Sequence, residues 1–345
     1  MYMCLPKRVL SIFTGLIFAA CVAKGANYDS EYGYDTYQNT SPRYDESSAY
    51  GSAGGYDAYD YSSYDPSIND NSGGAGSSPK PLFPSQSYYE LLGPMKAKNG
   101  SGNVHVTNWM TKFNLLNDKG NRFVFNMDAA LRVTWIHGKE DADFDMDRLY
   151  TIWLSATAGY RLFGSTYLMA GLTPELSSDL DTWCSRDIYL GGHVLLRSKA
   201  SDSFDYSIGM AYAPQLGDSP LFPFFIMNWK VSPVWTFHFE GTRFSLMNNE
   251  GGVFSWGPFC SIMSGTWTVK HNRRYERFCW TSGIVGLATE TKLGTWGRVH
   301  PKLVVDAGVS VYNSARFKTA NGRNEISKKQ MDPGFYIKAG LQFAY

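Results

Sequence analysis

What this chain of 345 residues lacks narrows its class before any motif is considered. Beyond the N-terminal apolar run from Val9 to Ala20, no segment approaches the roughly 18 to 20 continuous apolar residues that a membrane-crossing helix needs. Charged residues are only 18% of the chain and the net charge is +1, which gives no footing for nucleic acid. The mean hydropathy of −0.28 also excludes a helical membrane protein. There are five cysteines, and Cys4 and Cys21 fall in the N-terminal segment. The six histidines stand singly, with no Gly-x-Ser-x-Gly or His-Glu-x-x-His spacing to build a hydrolase or a zinc site. The sequence is therefore read as non-enzymatic and without a cofactor.

Lys7 and Arg8 precede the apolar run and small residues follow it, the layout of a secretory signal peptide over residues 1–25 with cleavage after Ala23 or Gly25. Phe18-Ala19-Ala20-Cys21 is also a lipoprotein-type box, which makes acylation of Cys21 the alternative. Residues 26–85 read as a disordered linker. From Tyr28 to Tyr64 short Tyr, Asp, Ser and Gly units recur with almost no aliphatic side chain, too little apolar surface for a core. Residues 27–78 carry nine acids against Arg43, whereas residues 79–345 hold 28 basic and 22 acidic side chains.

What is abundant is aromatic residues, 16% of the chain, and alternation. Phe123, Phe125, Met127, Ala129, Leu131, Val133 and Trp135 share one face of a strand, with Asn126, Asp128, Arg132 and Thr134 on the other. Ile152 to Leu162 and Phe204 to Tyr212 alternate in the same way. Such strands run 10 to 14 residues, matching the roughly 9 to 11 tilted residues that cross a bilayer rather than the five or six usual in soluble sheets. The expectation is an all-β, antiparallel, up-and-down transmembrane barrel over residues 86–345, with about 12 strands and a range of 10 to 14. The 313–332 segment reads as a long outer loop.

The last eleven residues set Phe335, Ile337, Ala339, Leu341, Phe343 and Tyr345 on one face and end on an aromatic. Lys338, Gly340, Phe343 and Tyr345 resemble the C-terminal signal through which outer-membrane barrels engage their assembly machinery. The Gly217–Pro223 stretch leads into a strand holding Trp229, and Ser232-Pro233-Val234-Trp235 leads into one closed by Gly241. This hairpin resembles an uncharacterised family, a domain of unknown function, of bacterial outer-membrane barrels from planctomycete- and verrucomicrobial-type bacteria. The resemblance covers about 30 residues specifically and the later strands loosely. It implies fold and location and no activity.

Further expectations concern single sites and partners. Cys260 and Cys279 flank an apparent hairpin and make the expected disulfide if all three body cysteines are not simply small strand residues. Glu140, Asp141, Asp143, Asp145 and Asp147 read as a solvated acidic turn, with calcium the sharper alternative. Lys270, His271, Arg273, Arg274 and Arg277 read as an ordinary solvated basic turn, with a grip on lipopolysaccharide phosphates the sharper alternative. Inward charges such as Asp128, Arg132, Arg161, His193, Arg197, Glu240, Lys302, Asp306 and Lys338 imply either a water-filled lumen or an interior threaded by salt bridges. The first makes a porin-like diffusion channel and the second a closed structural or interaction barrel, with a lipid-modifying enzyme as a third class. The expected location is the outer membrane, with the tether and any partner of it in the periplasm.

Overall fold

A computed structural model describes residues 84–344, apart from 99–101, 121, 139–145, 182–184, 214–220, 251, 272–273, 297–298, 321 and 323. The signal peptide, Cys21, the tether, Cys184 and Tyr345 lie outside the described residues, as do residues 139–145 of the acidic turn. The alternating segments become β1 Pro84–Lys96, β2 Asn103–Lys119, β3 Phe123–Gly138, β4 Met146–Phe163, β5 Thr166–Ser178, β6 Ile188–Ser201, β7 Phe204–Tyr212 and β8 Leu221–Lys230. They continue as β9 Trp235–Glu240, β10 Arg243–Asn248, β11 Phe254–His271, β12 Arg274–Lys292, β13 His300–Thr319, β14 Glu325–Met331 and β15 Phe335–Ala344.

Each strand pairs antiparallel with the next from β1 to β13; β13 then pairs with β15, and β15 with β1, so the sheet closes on itself with fourteen wall positions. Closure removes the free edge that a terminal strand would otherwise expose to lipid. The extra element, β14, continues β15 along β13. Asn313 faces Met331, and Val309, four residues back, faces Phe335, four residues on, so the register is unbroken. Pro333 supplies no amide, and Ser310 fills the gap by donating its backbone N–H to Gly334 O at 2.8 Å while its hydroxyl accepts from Gly334 N at 2.9 Å.

Fourteen positions is the upper end of the expected range rather than its centre of 12. Two differences raise the count. β1 was not anticipated, because Pro84 and Gly93-Pro94 punctuate it. The strand expected after Pro233 does close at Gly241, whose φ of 52° suits glycine, but the chain turns back there into a second six-residue strand, so that β9 and β10 stand where one strand was expected. The expected loop at 313–332 is instead a hairpin that lengthens the wall.

The Cys260–Cys279 disulfide is also corrected. Cys260 stands opposite Val285, while Cys279 stands opposite Thr266, six residues further along β11 (260 to 266). That offset is roughly 20 Å at about 3.4 Å per residue, far beyond the reach of a disulfide. Both thiols are free.

The faces sort as alternation requires. On β15, Phe335 and Ile337 point outward and are exposed, whereas Tyr336 and Lys338 are 2% exposed and face inward. On β3, Phe123 is outward and Asp128, Arg132 and Thr134 are buried. Leu154, Leu168, Leu190, Val194, Ile208, Leu287 and Val309 extend the exposed apolar surface around the wall. Ten residues at about 3.4 Å each and roughly 40° of tilt stand about 26 Å tall, the height of the apolar band of a membrane barrel. The start of β1 and the end of β15 lie at one rim, since Gln86 pairs with Gln342.

Candidate functional site

The interior is the candidate site, and its first property is that opposite walls touch. A circular barrel of fourteen strands about 4.8 Å apart, tilted by about 40°, would measure roughly 28 Å between facing backbones. Here Asn108 Nδ2 on β2 reaches Met263 Sδ on β11 at 3.3 Å, although four wall positions separate those strands by the shorter way round. Trp267 Nε1 donates to Thr151 Oγ1 on β4 at 3.0 Å, and Ser177 Oγ on β5 donates to Thr266 O at 2.7 Å. Arg132 on β3 sits 5.7 Å from the Trp267 ring centroid. Thr268 even bridges in parallel to Ser178, so β11 is stitched to β5 across the barrel. The walls have therefore collapsed to side-chain contact along β11.

Strand lengths explain why β11 can do this. β9 and β10 are six residues each, and β10 pairs with β11 only from Trp256 to Ser261. Beyond Ser261 the next ten residues of β11 have no β10 alongside. They lean over the low sector and find β5, with Asp179 accepting from Lys270 N at 2.8 Å and Tyr189 meeting Thr268 at 3.2 Å.

The second property is layering. Leu92, Val106, Ile136 and Leu149 join Phe259, Met263, Trp267, Phe278, Trp280 and Phe317 in an apolar cluster toward the rim away from the start of β1 and the end of β15. Tyr88, Met110, Ala130 and Trp153 belong to a second cluster with Met169, Leu195 and Phe224. Each of the first four strands thus places apolar residues both above and below, and the inward positions between them are polar: Glu90, Asn108, Arg132 with Thr134, and Thr151. These polar groups bond to one another. Asn108 donates to Glu90 at 3.2 Å, Thr134 to Asn108 at 2.6 Å, and Tyr336 to Glu90 at 2.8 Å. Lys338 stands opposite Glu90 in the ladder, with its ammonium 4.2 Å from the Tyr88 ring centroid.

The charges are matched. Arg243 on β10 meets Asp306 on β13 at 2.8 Å, with both side chains at most 3% exposed, and stacks 4.3 Å from the Phe259 ring. Lys112 lies 3.7 Å from Asp128, and Lys302 lies 3.6 Å from Glu290. A buried ion left alone is costly, so these pairs follow from burying charge inside the barrel. Of the inward charges expected from the sequence, Asp128, Arg132, Lys302, Asp306 and Lys338 enter this interior, and His193 and Arg197 line the β6 side of it. Arg161 instead bonds the turn at Gly164. Alternation alone gave no sign of Glu90, Arg243, Trp267 or Trp280 as interior residues.

The remaining candidates sit elsewhere. Lys338, Gly340 and Phe343 of the terminal signal lie on β15 in the wall. Of the basic turn, Lys270 and Arg277 are described, and the side chains of residues 271–274 are outside the described set. Among the described residues no group of three or more His, Cys, Asp or Glu is placed to hold a metal ion. Nor is any described helix long and apolar enough to cross a membrane.

An antiparallel barrel closed at every edge, apolar outside at membrane height, defines a transmembrane β-barrel of the outer-membrane kind. Residues 83–344 match the family model described as a domain of unknown function (DUF6268), and the chain belongs to that family. No curated protein matches it. Among solved structures it is similar to Pseudomonas aeruginosa OccK5 (OpdH), with 11% identity, coverage of 75% of this chain and 98% of that chain, and a TM-score of 0.28. It is also similar to a mutant of TodX, a monoaromatic hydrocarbon channel (8% identity, 75% and 88% coverage, TM-score 0.30). A third is the β domain of the Bordetella autotransporter BrkA (8% identity, 76% and 100% coverage, TM-score 0.26).

Proposed function

We propose that this protein is a closed, non-catalytic barrel of the outer membrane of a Gram-negative-type bacterium, acting as a structural or interaction protein through its surfaces rather than as a constitutively open pore. The planctomycete or verrucomicrobial source suggested by the Pro/Trp hairpin is part of this proposal. In it, the rim holding the start of β1 and the end of β15 faces the periplasm, where the acidic tether meets its partner, and the far rim faces outward. The carrying observation is the row of contacts from β11 to β2, β3, β4 and β5. Porin interiors are polar and water-filled. This one packs Trp153, Trp267, Trp280, Phe278 and Phe317 below 5% exposure and holds ion pairs between Arg243 and Asp306, Lys112 and Asp128, and Lys302 and Glu290.

One observation favours a second reading, the porin-like channel of unknown selectivity. A polar layer through Glu90, Asn108, Arg132 and Lys338 crosses the interior and would offer ions a path if β11 swung away. Single-channel recording on the full-length protein in planar bilayers separates the two. The closed barrel inserts and stays silent at low voltage. Steady, reproducible conductance steps at low voltage would replace it with the diffusion channel.

A further inference from the structure

We infer that the outward face of β12, β13 and β14 near the far rim is a binding site for the phosphate groups of an outer-leaflet glycolipid of the lipopolysaccharide class. The inference rests on the orientation proposed above. Three adjacent strands place cations in facing ladder positions there: Arg277 opposite Lys318, and Arg316 opposite Lys328. Their neighbours Ala315 and Phe317 are buried inside, so Arg316 and Lys318 take the outer side of β13. Like charges directly opposite on a ladder repel unless an anion lies between them. Glu325, 3.9 Å from Arg316, is a partly exposed carboxylate that a stronger anion can displace.

The height of the patch selects the kind of anion. Directly beneath it the wall is lipid-facing, with Val309, Val311, Tyr312, Phe335 and Ile337 each at least 40% exposed. Arg316 lies four residues beyond Tyr312, which at about 3.4 Å per residue and roughly 40° of tilt is about 10 Å higher. The headgroup layer adds roughly 5 to 8 Å beyond the hydrocarbon, and a long cationic side chain bends into it with ease. A planar guanidinium beside an ammonium suits phosphate oxygens. A lipid with acyl chains below and phosphates above satisfies both halves of the surface, whereas free phosphate satisfies only the upper half. Of the described basic residues singled out in the sequence, Arg277 borders this patch from β12. Its guanidinium lies 5.3 Å from the Tyr189 ring, which leaves Arg316 and Lys328 as the outward pair.

The test uses the full-length protein in phosphatidylcholine vesicles, with lipopolysaccharide binding titrated for wild type, for Arg316→Glu with Lys328→Glu, and for Lys230→Glu at the opposite rim. Lipopolysaccharide should bind wild type and the Lys230 variant alike. The double variant should bind roughly tenfold or more weakly. Dephosphorylated lipopolysaccharide should bind no better to wild type than to the double variant, and inorganic phosphate should not compete. Equal binding by the double variant, or undiminished binding of the dephosphorylated lipid, would overturn the proposal, and competition by inorganic phosphate would assign the site to the free ion instead. Labelling of Lys328→Cys by an impermeant maleimide on intact cells checks the orientation separately. A protected thiol there would overturn the outward placement whatever the vesicles show.

Discussion

Replacing Trp267 with alanine should destabilise the folded barrel by about 3 to 5 kcal/mol. The indole is 2% exposed, folds over Gly265, packs 6.1 Å from Phe278 by ring centroids and donates to Thr151. An aromatic of this size buries on the order of 200 Å², worth about 5 kcal/mol at roughly 25 cal/mol per Å². The lost hydrogen bond adds about 1 kcal/mol, reduced because Thr151 still meets Ser177 at 3.2 Å and Arg132 at 3.5 Å. Partial collapse of the site brings the sum back into the range quoted. Urea titration of the refolded full-length protein in lipid vesicles, read by the gel mobility of folded and unfolded forms, measures it. A Trp267→Ala and Thr151→Val double-mutant cycle should return about 1 kcal/mol of coupling between residues on opposite walls. A loss below about 1 kcal/mol with no coupling would refute the claim that this indole bridges β11 and β4, because an indole hanging in a water-filled lumen has little to lose.

Three further outcomes are expected. Arg243→Ala should cost about 3 to 5 kcal/mol by stranding Asp306, while Arg243→Met with Asp306→Leu should cost far less; urea titration of both distinguishes a buried pair from two solvated charges. Changing Phe343 and Tyr345 to serine should block membrane assembly, read as loss of the folded form from outer-membrane fractions, and normal insertion would dismiss the terminal-signal reading. Removing residues 27–80 should leave the barrel folded in the same assay, because β1 begins at Pro84 and pairs with β15 without them.

The parts of the fold legible in the sequence are those where one face differs chemically from the other. β3, β4 and β15 declare themselves because Phe123, Leu154 or Ile337 alternates with Asp128, Thr151 or Lys338, and period 2 with strong contrast has one reading. β11 and β12 are less legible, because Trp267, Phe278, Trp280 and Ile284 are apolar inward residues on strands whose outer face is also partly apolar. Contrast vanishes where both faces are greasy, and the strand bounds go with it, although the basic cluster from Lys270 to Arg277 does mark a turn. β1 was hidden by its prolines. The interior itself was half legible: the inward charges could be named from alternation, yet whether Arg243 would find Asp306 depends on the two strands between them, β11 and β12, folding back on one another. Wall-to-wall contact was invisible, since it follows from the shortness of β9 and β10 and the lean of β11 that this permits.

The most direct test of a collapsed lumen is to place cysteines at Asn108 and Met263, with Cys184, Cys260, Cys279 and any cysteine retained from the N-terminal segment changed to serine, and treat the membrane-inserted protein with a thiol-bridging fluorophore that reacts only when two thiols are in near contact. The account predicts efficient bridging in the folded barrel and none in either single-cysteine variant. Two reactive thiols that never bridge would mean that β2 and β11 stand apart across an open lumen, and the closed barrel would have to be abandoned.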